Sequence, residues 1–132
     1  MIIIHEKRPF PLLTKQSYYE NTKSTMATTD PKLIKIIEVL KTEYNPIRLF
    51  LFGSRSNGTA HLDSDYDFVL VVKENNSSRH VSMAKARSLL HEKCQVSADV
   101  FLYSEKEFDE WKDERNSIPE TAINTGREFE LG

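Results

Sequence analysis

Two carboxylates at the head of an apolar run constrain this chain more than any other feature. Asp65 and Asp67 stand one residue apart and lead into residues 68–72 (FVLVV), apolar at every position. In a strand, side chains two residues apart leave the same face, roughly 6.5–7 Å apart along the chain. Asp65, Asp67 and Val69 therefore share one face, and Tyr66, Phe68 and Leu70 share the other. A run apolar on both faces belongs to a central strand covered on both sides. Acids carried to the rim of such a core are costly unless positive charge meets them. A surface hairpin would leave both acids in water. It would not explain the continuous apolar run, or why a third acid, Asp99, interrupts the next strand candidate, VSADVFLY.

Three carboxylates converging on one sheet face repel one another strongly unless cations hold them. Hard oxygen donors without a Cys or His cluster point to Mg²⁺, with Mn²⁺ as a substitute, rather than to zinc. Two such ions roughly 3.5–4 Å apart can clamp the attacking and leaving oxygens of an in-line phosphoryl displacement. Asp65 and Asp67 would share the metals, and Asp99 would ligate the ion on the nucleophile's side and help to deprotonate the attacking group. The other half of such a site is Gly53-Ser54, which ends the apolar run IRLFLF at residues 47–52. Glycine lets the backbone approach a phosphate, and adjacent N–H groups with the Ser54 hydroxyl can donate to its oxygens. Arg55 adds a charge-assisted partner. A Gly-Ser-Arg loop is common by itself and counts only for its fixed distance from the aspartates. Lys73 and Lys85 are further cations that could reach a triphosphate, though nothing in the sequence singles them out.

The surroundings read as one domain of the α+β (α/β-like) class, a small mixed β-sheet flanked by helices. Residues 1–29 are polar and unpatterned over most of their length and read as a partly mobile N-terminal extension, with the domain proper at 30–132. Asp30 is a helix N-cap with Pro31 at the first helical position, and Leu33, Ile34, Ile36, Ile37 and Leu40 mark an apolar helical face ending near Asn45-Pro46. Strands are expected at 47–52, 66–73 and 96–103, with a helix over 81–94. Ser104 with Glu107 and Ser117 with Glu120 are two capping boxes, Gly126 is a helix C-cap, and residues 127–131 close the chain as a short strand. A net charge of −2 over 132 residues gives no field for holding nucleic acid. The single cysteine, Cys94, cannot form an internal disulfide, and no apolar run reaches the ~20 residues of a membrane helix. A cytoplasmic protein is expected.

The segment GSRSNGTAHLDSDYDF resembles the signature of the DNA polymerase β nucleotidyltransferase superfamily: Gly-Ser, ten residues, Asp-x-Asp. Within that superfamily it is most similar to the minimal nucleotidyltransferase (MNT) group, whose pattern is met by Gly53, Ser54, Arg55, Gly58, Ala60, Ser64, Asp65 and Asp67. Asp99 falls where the family places its third carboxylate. The departures are mild: Asn57, Phe68 and the extra N-terminal residues.

The resemblance implies a polymerase β-type nucleotidyltransferase fold and Mg²⁺-dependent transfer of a nucleoside monophosphate from an NTP to a hydroxyl, with release of pyrophosphate. Asp65, Asp67 and Asp99 would be the catalytic metal ligands, with Gly53, Ser54 and Arg55 binding the nucleotide. Many stand-alone MNT proteins are similar to antitoxins that add AMP from ATP to a tyrosine of a HEPN-domain ribonuclease encoded nearby. The chain reads as a bare catalytic core, so a partner would supply much of the acceptor site. Phe108, Trp111 and Ile118 are candidate contacts, with ordinary core as the equal alternative. A small-molecule hydroxyl such as an antibiotic's, neutralisation of a toxin by binding alone, and a structural domain with surface acids stay open as other readings. Homo-oligomerisation stays open too.

Overall fold

The computed structural model describes residues 3–7, 27–28, 30–53, 65–75 and 78–132. Each helix starts where the sequence offers an acceptor for orphan backbone N–H groups. In α1 (Pro31–Tyr44) the Asp30 carboxylate accepts from the Lys32 N–H at 3.0 Å, and Pro31 occupies the first turn, where no donor is missed. Asn45 ends it in the left-handed region (φ 46°), donating its N–H to the Lys41 carbonyl. Ser78 caps α2 (Arg79–Cys94), which ends on another left-handed residue, Gln95.

Strands β3 (Arg48–Phe52), β4 (Tyr66–Val72) and β5 (Ala98–Ser104) form the centre and one edge of the sheet. β3 and β4 are antiparallel, whereas β4 and β5 are parallel and joined through α2. Two further helices, α3 (Glu105–Trp111) and α4 (Ile118–Thr125), precede β6 (Arg127–Phe129), which pairs antiparallel with β3. Beyond β6 come β1 (Ile4–Lys7) and β2 (Ala27–Thr28), giving six strands in the order β2-β1-β6-β3-β4-β5 among the described residues. This is a mixed α+β fold.

The alternation along β4 divides the interior in two. Tyr66, Phe68 and Leu70 join Leu49, Leu51, Val100 and Leu102 in a core closed by α1 and α2. Val69 and Val71 join Phe50, Tyr103, Phe108 and Ala122 in a second core on the opposite face, under α3 and α4. Phe108 is 1% exposed and stacks on Phe50, so it is core; Trp111 is 51% exposed, and Ile118 packs half-buried against the second core. Cys94 is buried at the end of α2, and that burial pushes its thiol up, outweighing the opposing influence of Lys35 and Lys32.

Three local features differ from the sequence pattern. Residues 4–7, within the stretch assigned to the N-terminal extension, form β1, with Ile4 in the first core. The strand hides its alternation because the second inward residue is Glu6, buried and bonded to the Arg127 guanidinium on β6. Ser104 and Glu107 make the full reciprocal capping box, but Ser117 makes half of one: its hydroxyl accepts from Glu120, while its own N–H donates to the Glu114 carbonyl. Gly126 caps α4 with extended backbone (φ −87°), so positive φ is not why glycine stands there. A Cβ at this position would lie 2.5 Å from the Ala122 carbonyl oxygen and 2.9 Å from that of Leu51. Both obstacles are backbone, so Gly126→Ala is expected to cost about 2 kcal/mol by urea unfolding.

Candidate active site

The chain turn after β3 and the starts of β4 and β5 lie side by side at one end of the sheet. Asp67 pairs with Phe52 of β3 on one side and with Asp99 of β5 on the other. Adjacent strands are roughly 4.8 Å apart, so the register alone sets two carboxylates as neighbours on one face. The Tyr66 N–H donates to the Ser97 carbonyl at 3.0 Å and fixes where the parallel pairing starts. Asp65, just ahead of β4, leaves the same face as Asp67 and is exposed. Open parallel sheets usually bind ligands beyond the carboxyl ends of their strands. Here the acids stand at the amino ends of β4 and β5.

The surroundings of Asp67 explain its electrostatics. The next residue on its face, Val69, is fully buried, and Phe52 and Phe101 pack with ring centroids 5.9 Å apart beside the acids. Asp67 thus lies where the second core meets solvent. Burial pushes its carboxyl above the usual carboxylate range, and the nearby charges of Asp99 and Asp65 push it further the same way.

Gly53 closes the site from the β3 side. It lies at φ +75°, in the region that favours glycine, and a Cβ there would be 2.6 Å from Asp67 Oδ2. Glycine is needed twice over: for the backbone conformation and for room beside the carboxylate. Ser54 and Arg55, the other nucleotide-binding candidates, lie outside the described residues, as do Gly58, Ala60 and Ser64.

One residue of the site was not singled out from sequence. Arg87 of α2 donates to Asp99 Oδ1 at 2.8 Å and to the Ala98 carbonyl at 3.2 Å, and its other terminal nitrogen is 3.8 Å from Asp65 Oδ2. A signal did exist. Converging acids demand positive charge, and the helix leading into β5 carries Lys85 and Arg87. Sequence does not say which of these faces the strand; the contacts to Asp99 and the Ala98 carbonyl single out Arg87.

The donor set suits a hard divalent cation. The acids supply oxygens only, and the mutual repulsion felt at Asp67 is a charge surplus that such an ion relieves. Among the described residues, no three His, Cys, Asp or Glu side chains form a ready-made metal site.

A family model described as polymerase beta, nucleotidyltransferase, matches residues 34–117. The chain belongs to this family. The matched stretch of this polymerase β-type nucleotidyltransferase runs from within α1 to the cap of α4 and contains Gly53, Asp65, Asp67, Arg87 and Asp99. A solved structure described as the crystal structure of the toxin-antitoxin with AMP-PNP is similar, with a TM-score of 0.56 and 19% identity over 72% of this chain and 69% of that one. At that identity the likeness is one of fold. No curated protein matches the chain. No helix among the described residues is long and apolar enough to cross a membrane.

Proposed function

We propose that this nucleotidyltransferase moves AMP from ATP onto a hydroxyl, namely a tyrosine of a HEPN-domain toxin encoded nearby, and so serves as that toxin's antitoxin in the cytoplasm. The observation that carries the chemistry is the in-register pairing of Asp67 with Asp99, with Asp65 on the same face and Gly53 against the Asp67 carboxylate. The toxin–antitoxin setting draws support from the similar solved structure, which pairs a toxin with an antitoxin and holds AMP-PNP, and from the MNT-like signature around Gly53.

In this reading Asp65, Asp67 and Asp99 would hold two Mg²⁺ ions. When bound, these supply charge neutralisation for the triphosphate and the attacking oxygen. Gly53 keeps the backbone low beside Asp67, and Ser54 and Arg55 follow it to donate to phosphate oxygens. The acceptor oxygen bonds to the α-phosphorus, the bond from that phosphorus to the pyrophosphate oxygen breaks, and the hydroxyl proton passes to Asp99. The chain's largest contribution is positioning.

Incubating the protein with α-labelled ATP, Mg²⁺ and the product of the neighbouring gene tests this. Label on a tyrosine of that partner, dependent on Mg²⁺, is the expected result. Neutralisation of the partner with no label transferred would refute transfer and leave binding alone. Label passing only to a small-molecule hydroxyl would refute the tyrosine acceptor.

A further inference from the structure

Arg87 stands where a cation would stand. Its guanidinium bonds Asp99 Oδ1 at 2.8 Å and reaches Asp65 Oδ2 at 3.8 Å, so it bridges two of the three acids across the mouth of the site. We propose that Arg87 is a positioning residue that competes with divalent cations for Asp99 and Asp65 and so sets the cation concentration at which the site loads. This rests on the metal-dependent reading above.

Three observations carry it. First, the anchorage of α2 is firm: Ala86 and Leu90, on either side of Arg87 in sequence, are fully buried in the first core, so the Cα of Arg87 is fixed relative to β5. Second, the guanidinium also donates to the Ala98 carbonyl at 3.2 Å. That bond to neutral backbone gives it an attachment beside the strand that does not depend on Asp99. Third, the side chains of Arg87, Asp65 and Asp99 are 46%, 45% and 38% exposed. A half-solvated ion pair opens easily, whereas a buried one would be locked by the cost of stranding its charges. A divalent cation, with twice the charge of the guanidinium, can displace it from the acids.

The test is Mn²⁺ binding followed by electron paramagnetic resonance on protein stripped with a chelator, with no nucleotide present. Arg87→Gln is expected to tighten Mn²⁺ binding by about threefold to fivefold, the upper part of the range that losing a half-exposed ion pair allows. Arg87→Lys keeps the charge but loses the fork that spans both acids, and is expected to tighten it by roughly twofold. It also serves as the reporter should Arg87→Gln fail to fold by circular dichroism. A purely structural role predicts unchanged or weaker binding in folded variants, and that result would overturn the proposal. If Asp67→Asn removes Mn²⁺ binding while the Arg87 variants match wild type, this inference falls and the metal site stands. If wild type and all variants bind no Mn²⁺, the metal site falls and this inference with it.

Discussion

Asp67→Asn is expected to lower nucleotide transfer by about 10³-fold or more while making the chelator-treated protein more stable at neutral pH. The first effect follows from removing a charged oxygen from the centre of the acid cluster, where transition-state charge must be held. The second follows from the surroundings of Asp67. Its carboxyl is pushed up by burial beside Val69 and by the charges of Asp99 and Asp65. A carboxyl raised on folding favours the folded state when protonated. That contribution is fully present below the unfolded carboxylate range and is lost as pH climbs through the raised folded value. Wild type should therefore lose stability relative to Asp67→Asn as pH rises through and just above the ordinary carboxylate range. Solvent screening at this half-buried position holds the gain to about 1 kcal/mol or less, roughly 3 °C in Tm. Retained transfer, or a variant less stable than wild type at pH 7 in chelator, would count against the role given to Asp67.

Gly53→Ala is expected to cost about 10²-fold in transfer, with a stability loss of about 1 kcal/mol. Alanine meets two objections here. The backbone lies at φ +75°, and the new methyl would sit 2.6 Å from Asp67 Oδ2. The carboxylate is the softer of the two obstacles, so it moves, and a displacement near 1 Å of a catalytic group is enough for a loss of that size. The two variants should also be non-additive. In Gly53→Ala/Asp67→Asn, the alanine has no charged group left to misplace, and its further effect on transfer should nearly vanish. A double variant showing the product of both losses would mean that Gly53 acts elsewhere than through Asp67.

Much of this was legible in the residues because the signals were local. Asp30-Pro31 announces the start of α1, and Ser104 with Glu107 that of α3, since each cap is completed within a few residues. The all-apolar run after Asp67 marks a strand buried on both faces, and the i, i+2 spacing puts Asp65 and Asp67 on one of them. What escaped were features completed by distant partners. β1 looks unpatterned because Glu6 takes an inward position that only Arg127, far along the chain, makes tolerable. Gly126 reads as an ordinary helix cap, yet a Cβ there would meet the distant Leu51 carbonyl of β3 as well as the Ala122 carbonyl of its own helix. Arg87 is one cation among many in α2 until the fold lays that helix beside β5. The pairing of Asp67 with Asp99 was anticipated only as a convergence; the register made it specific.

That register has a consequence for how the protein can fail. On β5, Asp99 and Phe101 face the site and the second core, while Ala98, Val100 and Leu102 face the first. A slip of β5 by one residue would turn Asp99 into the first core and expel Val100 from it. The interior that holds the sheet together and the acid pair proposed to carry the chemistry thus read the same alignment. A misaligned chain is penalised twice, by an acid stranded among leucines and by a dismantled site. Errors in assembly should yield molecules that are unstable and silent rather than stable and indiscriminate, a useful property in a nucleotidyltransferase.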